Sequence, residues 1–164
     1  MTSGVKDTVV LTDGEQSFID GVATHYHEAH GVTWPKARTM AWMIISDPPE
    51  RSIADICAVL EVQPEDIEQL LEQLVLAELY EVIDEPGQER RYRLAEDGYS
   101  KVVSHTFASW PRYLEIFRHG LDVLEDSTFE RRRRIAEIEE LFSSIVPDLA
   151  DMSRRWSEQT AARA

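Results

Sequence analysis

Between Gln63 and Leu79 the chain carries five acids and no base. The polar residues of this stretch include Gln63, Glu65, Glu68, Gln69 and Gln73. A carboxylate accepts hydrogen bonds and a carboxamide both accepts and donates. Such a surface suits either the edges of nucleic-acid bases or the cations of a basic protein. Positive charge stands on both sides of it, at Arg51 before and at Arg90, Arg91 and Arg93 after, with Gln88 leading into the arginines. Guanidinium groups match phosphate geometry bidentately. Alternation along an extended segment puts Arg91 and Arg93 on one side and Arg90 and Tyr92 on the other. Phosphate contact and pairing with Asp84, Glu85 and Glu89 therefore both stay open.

Four other groups of residues could do chemistry. The run Arg131-Arg132-Arg133-Arg134 spreads around a helix, and Glu137 lies four residues after Arg133, so a solvated, ion-paired face is the simpler reading. His25, His27 and His30 lack the spacing of a known metal motif, and imidazoles near a helix end are favourable without a metal. Trp34, Trp42, Trp110 and Tyr113 offer aromatic faces that could hold a cationic or apolar ligand. The competing reading is core and interface packing. Cys57, the single cysteine, sits on an apolar helical face with no base beside it. No nucleophile elbow, phosphate-binding loop or dinucleotide glycine pattern occurs. The expectation is no enzyme activity and no cofactor.

Helices and one hairpin must position these groups. Phe18, Ile19, Val22, Ala23 and Tyr26 recur at helical spacing and stop at Gly31. Trp34-Pro35 opens a second helix, ended by Asp47-Pro48-Pro49. Ser52 with Asp55 three residues on predicts a capped helix with Ile53, Ile56, Cys57 and Leu60 inward. After the turn Val62-Gln63-Pro64, a helix to about Ala77 buries Ile67, Leu70, Leu71 and Leu74. Leu79 to Ile83 and Arg91 to Leu94 read as strands joined through Glu85-Pro86-Gly87-Gln88. Helix, short turn, helix and hairpin is the order of a winged helix-turn-helix. From about Ala95 the pattern is helical again, with a break expected at Pro147.

The stretch Ser46 to Ile56 is similar to the loop and helix that open the winged helix in GbsR-like members of the MarR superfamily. Leu70 to Leu79 resembles the end of their recognition helix, and Glu85 to Leu94 resembles their wing. The resemblance covers roughly Glu15 to Trp156. It implies a homodimer joined by terminal helices, a recognition helix in the major groove, a wing along the backbone, and control by a small molecule. This sequence differs at the recognition helix, where the family pattern has hydroxyl and basic residues. Glu65 and Asp66 complement the helix dipole. At about 8 Å from a phosphate, however, each acid costs roughly 0.5 kcal/mol even in water.

The bulk composition agrees with a folded, acidic protein. Of 164 residues, 43% are hydrophobic, which is enough for a core. Lys and Arg number 17 against 31 Asp and Glu, a net charge of −14, so any basic surface must be local. The apolar runs are too short for a membrane span and the start lacks a signal pattern, which predicts a cytoplasmic protein. The fold class expected is mainly α with a small β-hairpin wing, a winged helix-turn-helix flanked by dimerisation helices. Its parts are a flexible tail over 1–12, N-terminal helices for dimerisation or scaffolding over 13–47 and the winged helix-turn-helix over 48–95. A C-terminal helical dimerisation region over 96–158 and a tail over 159–164 follow. The expected function is a dimeric regulator on palindromic double-stranded DNA. The alternative is a winged-helix protein that has given up DNA and binds a basic partner protein through its acidic surface. Expected partners are itself, DNA, a small-molecule effector or a basic protein, and no membrane.

Overall fold

Thr12 starts the first helix by a reciprocal cap. Its hydroxyl accepts from the Glu15 N–H while the Glu15 carboxylate accepts from the Thr12 N–H, satisfying two of the donors that a helix start leaves open. The computed structural model describes residues 10–161. Helix α1 runs Asp13–His30 and stops at Gly31, whose φ of 65° is left-handed. Helix α2, Trp34–Ile45, carries Pro35 in its first turn. A short strand β1, Arg51–Ser52, leads directly into α3, Ile53–Leu60. The Ser52–Asp55 capping box is present in both directions. Helix α4, Pro64–Leu76, follows with Pro64 in its first turn. Strands β2, Tyr80–Ile83, and β3, Arg91–Leu94, form the hairpin. Helix α5 is Gly98–Val123 and α6 is Phe129–Ala161.

The fold is a mainly helical winged helix, as the residue pattern predicts. Its sheet has three antiparallel strands rather than the hairpin's two, in the order β1-β3-β2. Arg51 pairs with Tyr92 and Ser52 with Arg91, while Arg93 stands opposite Glu81. A two-residue strand has no readable alternation, so only its partner reveals it.

The chain divides into two compact units, one reaching Tyr99 and one beginning at Ser100. The expected boundary between 47 and 48 is therefore not a structural one. Helix α2 packs on α1, α3, α4 and β3 and brings Met40, Ala41, Trp42 and Met43 into the same core as Ile56, Leu60, Ile67 and Leu71. Arg38 of α2 ties the layers together, donating to the Leu60 carbonyl and facing Asp20 at 3.7 Å. Burying Ile67, Leu70 and Leu71 contributes about 1.5–3 kcal/mol each and fixes which side of α4 faces out.

In the second unit, Pro147 lies inside α6 and does not break it. Proline removes one helical hydrogen bond and costs about 3 kcal/mol. Packing around Phe142 offsets that loss, since its ring meets Trp110, Tyr113 and Phe117 of α5 at centroid distances of 5.3, 5.9 and 5.5 Å. Two further expectations are corrected. The helical region starts at Gly98 rather than Ala95. Residues 159–161 are helix rather than tail, and 162–164 lie outside the described residues, as do 1–9 of the expected N-terminal tail.

Candidate nucleic-acid interface

Helix α4 buries Ile67, Leu70 and Leu71 and leaves Gln63, Glu65, Asp66, Glu68, Gln69, Glu72 and Gln73 exposed. Glu65, Gln69, Glu72 and Leu76 recur at four, three and four residues and form one outward stripe. Asp66 and Gln73 flank it on one side and Glu68 on the other. Four of the five residues named from the sequence, Glu65, Glu68, Gln69 and Gln73, thus share one polar surface of α4, and Gln63 stands exposed at its N-cap. Leu76 belongs to it as well and is 86% exposed. Sequence reasoning missed Leu76 because a leucine at a helix end is read as core by default.

The arginines do not behave as a set. Arg51 is only 7% exposed. Its guanidinium donates to the Asp47 carbonyl and lies 5.2 Å from the centre of the Trp42 ring, so it is a packing cation and not a phosphate ligand. Arg93 is held by Glu81 directly across the strand pair and by Glu50 at 3.3 Å. The sequence left phosphate contact and pairing with Asp84, Glu85 or Glu89 both open. The register puts Glu81 opposite instead, and hydrogen bonding by Glu81 raises the arginine's pKa further. Arg90 lies over the Tyr92 ring at 5.6 Å, and Arg91 is exposed at the start of β3. Gln88, also exposed, bonds to Glu85 within the wing turn, where Gly87 takes a φ of 81°.

Between α4 and the wing lies a cleft of about 300 Å³ lined by Ile53, Glu68, Glu72, Glu89, Arg90 and Tyr92. Its acids bring carboxylates near the one arginine that leans over it. The acidic end of α4 also acts inward. Burial is the larger cause, and Glu65, Asp66 and Glu68 add to it, in raising the pKa of the Cys57 thiol.

Of the four aromatic residues, two keep much of their surface open, Trp34 being 42% and Tyr113 50% exposed. Trp42 is 2% exposed and its ring is covered by Arg51. Trp34 meets the His27 ring edge-on at 6.2 Å. Trp110 and Tyr113, in the second unit, pack on Phe142. His27 is bonded through Nδ1 to the Val32 carbonyl at 2.8 Å. Among the described residues no group of three or more His, Cys, Asp or Glu is placed to hold a metal. In the four-arginine run, Arg133 pairs with Glu130 and Glu137 and Arg132 donates to the Glu125 carbonyl.

No protein-family model matches the chain. It is similar to the HTH-type transcriptional regulator MmpR5 of Mycobacterium tuberculosis, 22% identical over 136 residues and covering 82% of each protein. A solved structure described as a transcriptional regulator superposes with a TM-score of 0.70 at 20% identity. That match covers 88% of this chain and 99% of the other. The sequence relative is thus a transcriptional regulator, the structural match shows a shared fold, and neither comparison points to the GbsR-like branch.

Proposed function

We propose that the protein is a DNA-binding transcriptional regulator of the MarR superfamily that acts in the cytoplasm, as a homodimer, on a roughly palindromic site. The observation that carries this reading is the presentation of α4. Its apolar side is buried in the winged unit and its whole polar side is open, flanked by a hairpin with two exposed arginines. A helix held this way fits the major groove, and a hairpin beside it reaches the adjoining backbone. Arg90 and Arg91 supply the phosphate contacts. Arg51 and Arg93 do not, because one is buried and the other neutralised. The regulator relative supports the same assignment, and the GbsR-like likeness rests on the sequence stretches Ser46 to Ile56, Leu70 to Leu79 and Glu85 to Leu94. A small-molecule effector using these aromatic residues would meet Trp34 and Tyr113, which stay partly open, and not the buried Trp42.

The second reading, binding of a basic partner protein, is favoured by one observation. With Arg93 neutralised and Arg51 buried, the α4 and wing surface is strongly acidic. A partner rich in lysine or arginine would be steered to it.

Both readings meet in one experiment. The purified protein is titrated against fragmented genomic DNA from its source at low and moderate salt, and retained fragments are sequenced. Recovery of a few discrete, roughly palindromic sites establishes the regulator. No retention at low salt by folded protein rejects it in favour of the basic partner. On a recovered site, Arg90→Ala and Arg91→Ala should each weaken binding and flatten the plot of log K against log salt by about 0.9 for each phosphate no longer neutralised. An unchanged slope would remove the wing from the interface.

A further inference from the structure

Resting on the reading of α4 as the groove-entering helix, the chemistry of its outward stripe narrows what the groove must offer. From Gln63 to Leu79 there is no lysine, arginine, histidine, serine, threonine or asparagine. The exposed polar groups are carboxylates and carboxamides only. An ionised glutamate has no donor, so in the groove it needs a donor opposite it. The floor of the major groove supplies just two, the N4 amino group of cytosine and the N6 amino group of adenine. Guanine presents N7 and O6 and thymine presents O4, all acceptors. A carboxylate facing either of those edges loses its water and gains repulsion, which is costlier than the missing bond alone.

We infer that Glu65 and Gln69 are specificity-determining residues that select cytosine and adenine amino edges and reject guanine along the strand facing α4. Gln69 suits adenine, since a carboxamide can donate to N7 while it accepts from N6. Leu76, at the far end of the same stripe and 86% exposed, fits the C5 methyl group of thymine, which is the apolar feature of the groove floor. Glu65 and Leu76 are eleven residues apart. At 1.5 Å per residue that spans roughly 16 Å, about five base pairs. The acids thereby acquire a role compatible with their cost near phosphate. They lower the affinity for every sequence and recover it only where amino groups meet them, so specificity comes largely from rejecting the wrong floor.

The test uses the full chain and a duplex carrying a recovered site. Adenines and cytosines under α4 are replaced, one at a time, by N6-methyladenine and N4-methylcytosine. These keep base pairing while the methyl group takes the place of the groove-facing N–H. Methylation at the contacted positions is expected to weaken binding about tenfold per position, the size of one side-chain–base pair. Glu65→Gln should move the preference at its position from cytosine toward adenine. Binding unchanged by every methylated base, or sites with guanine preferred at those positions, overturns the inference while leaving the regulator reading intact. Failure of the folded protein to retain any duplex overturns both.

Discussion

Arg51, Arg91 and Arg93 stand within one small sheet and have three different fates. Arg51 is enclosed against Trp42, Arg93 is bound by two glutamates, and Arg91 faces water. Their side chains are identical, so the difference lies in cross-strand register and in what stands behind the strand. Cys57 shows the same dependence on surroundings. Its pKa is raised above the ordinary 9.0 by burial first and by Glu65, Asp66 and Glu68 after it. At pH 8 its thiolate fraction is then below that of a free cysteine. Alkylation by iodoacetamide at pH 8 should be slower than for a free thiol at the same pH, and Glu65→Gln with Glu68→Gln should speed it. Alkylation at the free-thiol rate would show that neither burial nor the acids govern this site.

Among the elements, the junction after β3 is closely packed at Gly98. A Cβ at Gly98 would come within 2.4 Å of the Leu79 carbonyl oxygen, which also accepts the Ala95 N–H at 3.0 Å. Backbone stands in the way, so no rotamer change relieves the clash. The first turn of α5 is further tied to α1 by a 3.0 Å hydrogen bond between the Tyr26 and Tyr99 hydroxyls. Burial is the leading cause that holds the Tyr99 hydroxyl protonated well above the usual tyrosine range. Gly98→Ala should lower stability by about 1–3 kcal/mol, the usual cost of overpacking, read as a reduced denaturant midpoint with an unchanged slope. A midpoint equal to that of the parent protein would mean that the junction relaxes without cost. This glycine was not legible in the sequence, where Asp97-Gly98 looks like an ordinary turn.

At the scale of the molecule, a net charge of −14 is carried by a protein whose second unit exposes many large apolar residues. On α5 these include Val103, Tyr113 and Ile116, and on α6 Ile138, Leu141, Met152 and Trp156. Under the proposed function, a second copy of the chain would cover apolar residues of this kind, since large exposed apolar patches are uncommon on monomers. Linkage then predicts a thermal midpoint that rises with protein concentration, together with a dimer mass by sedimentation equilibrium. A monomer mass with a concentration-independent midpoint would remove the homodimer from the proposed function. Added salt should favour association, because it screens repulsion between two acidic chains.

The sequence by itself determined what depends on neighbours a few residues apart. Apolar spacing marks every helix, the Ser52–Asp55 pair starts α3, and Gly87 turns the wing. The exposed, base-free face of α4 could also be read directly, because Ile67, Leu70 and Leu71 fix which side is buried. Tertiary structure decided the rest. It added β1 to the sheet, folded α2 into the winged unit, carried α6 through Pro147, and sorted the arginines into buried, paired and free. These outcomes depend on what the folded chain brings together: Tyr92 beside Arg51 in the sheet and Trp42 over its guanidinium, Glu50 and Glu81 for Arg93, the rings of α5 around Phe142. Local patterns hold the period and polarity of a segment, whereas the energy of a charge or a proline is set by what the folded chain brings against it.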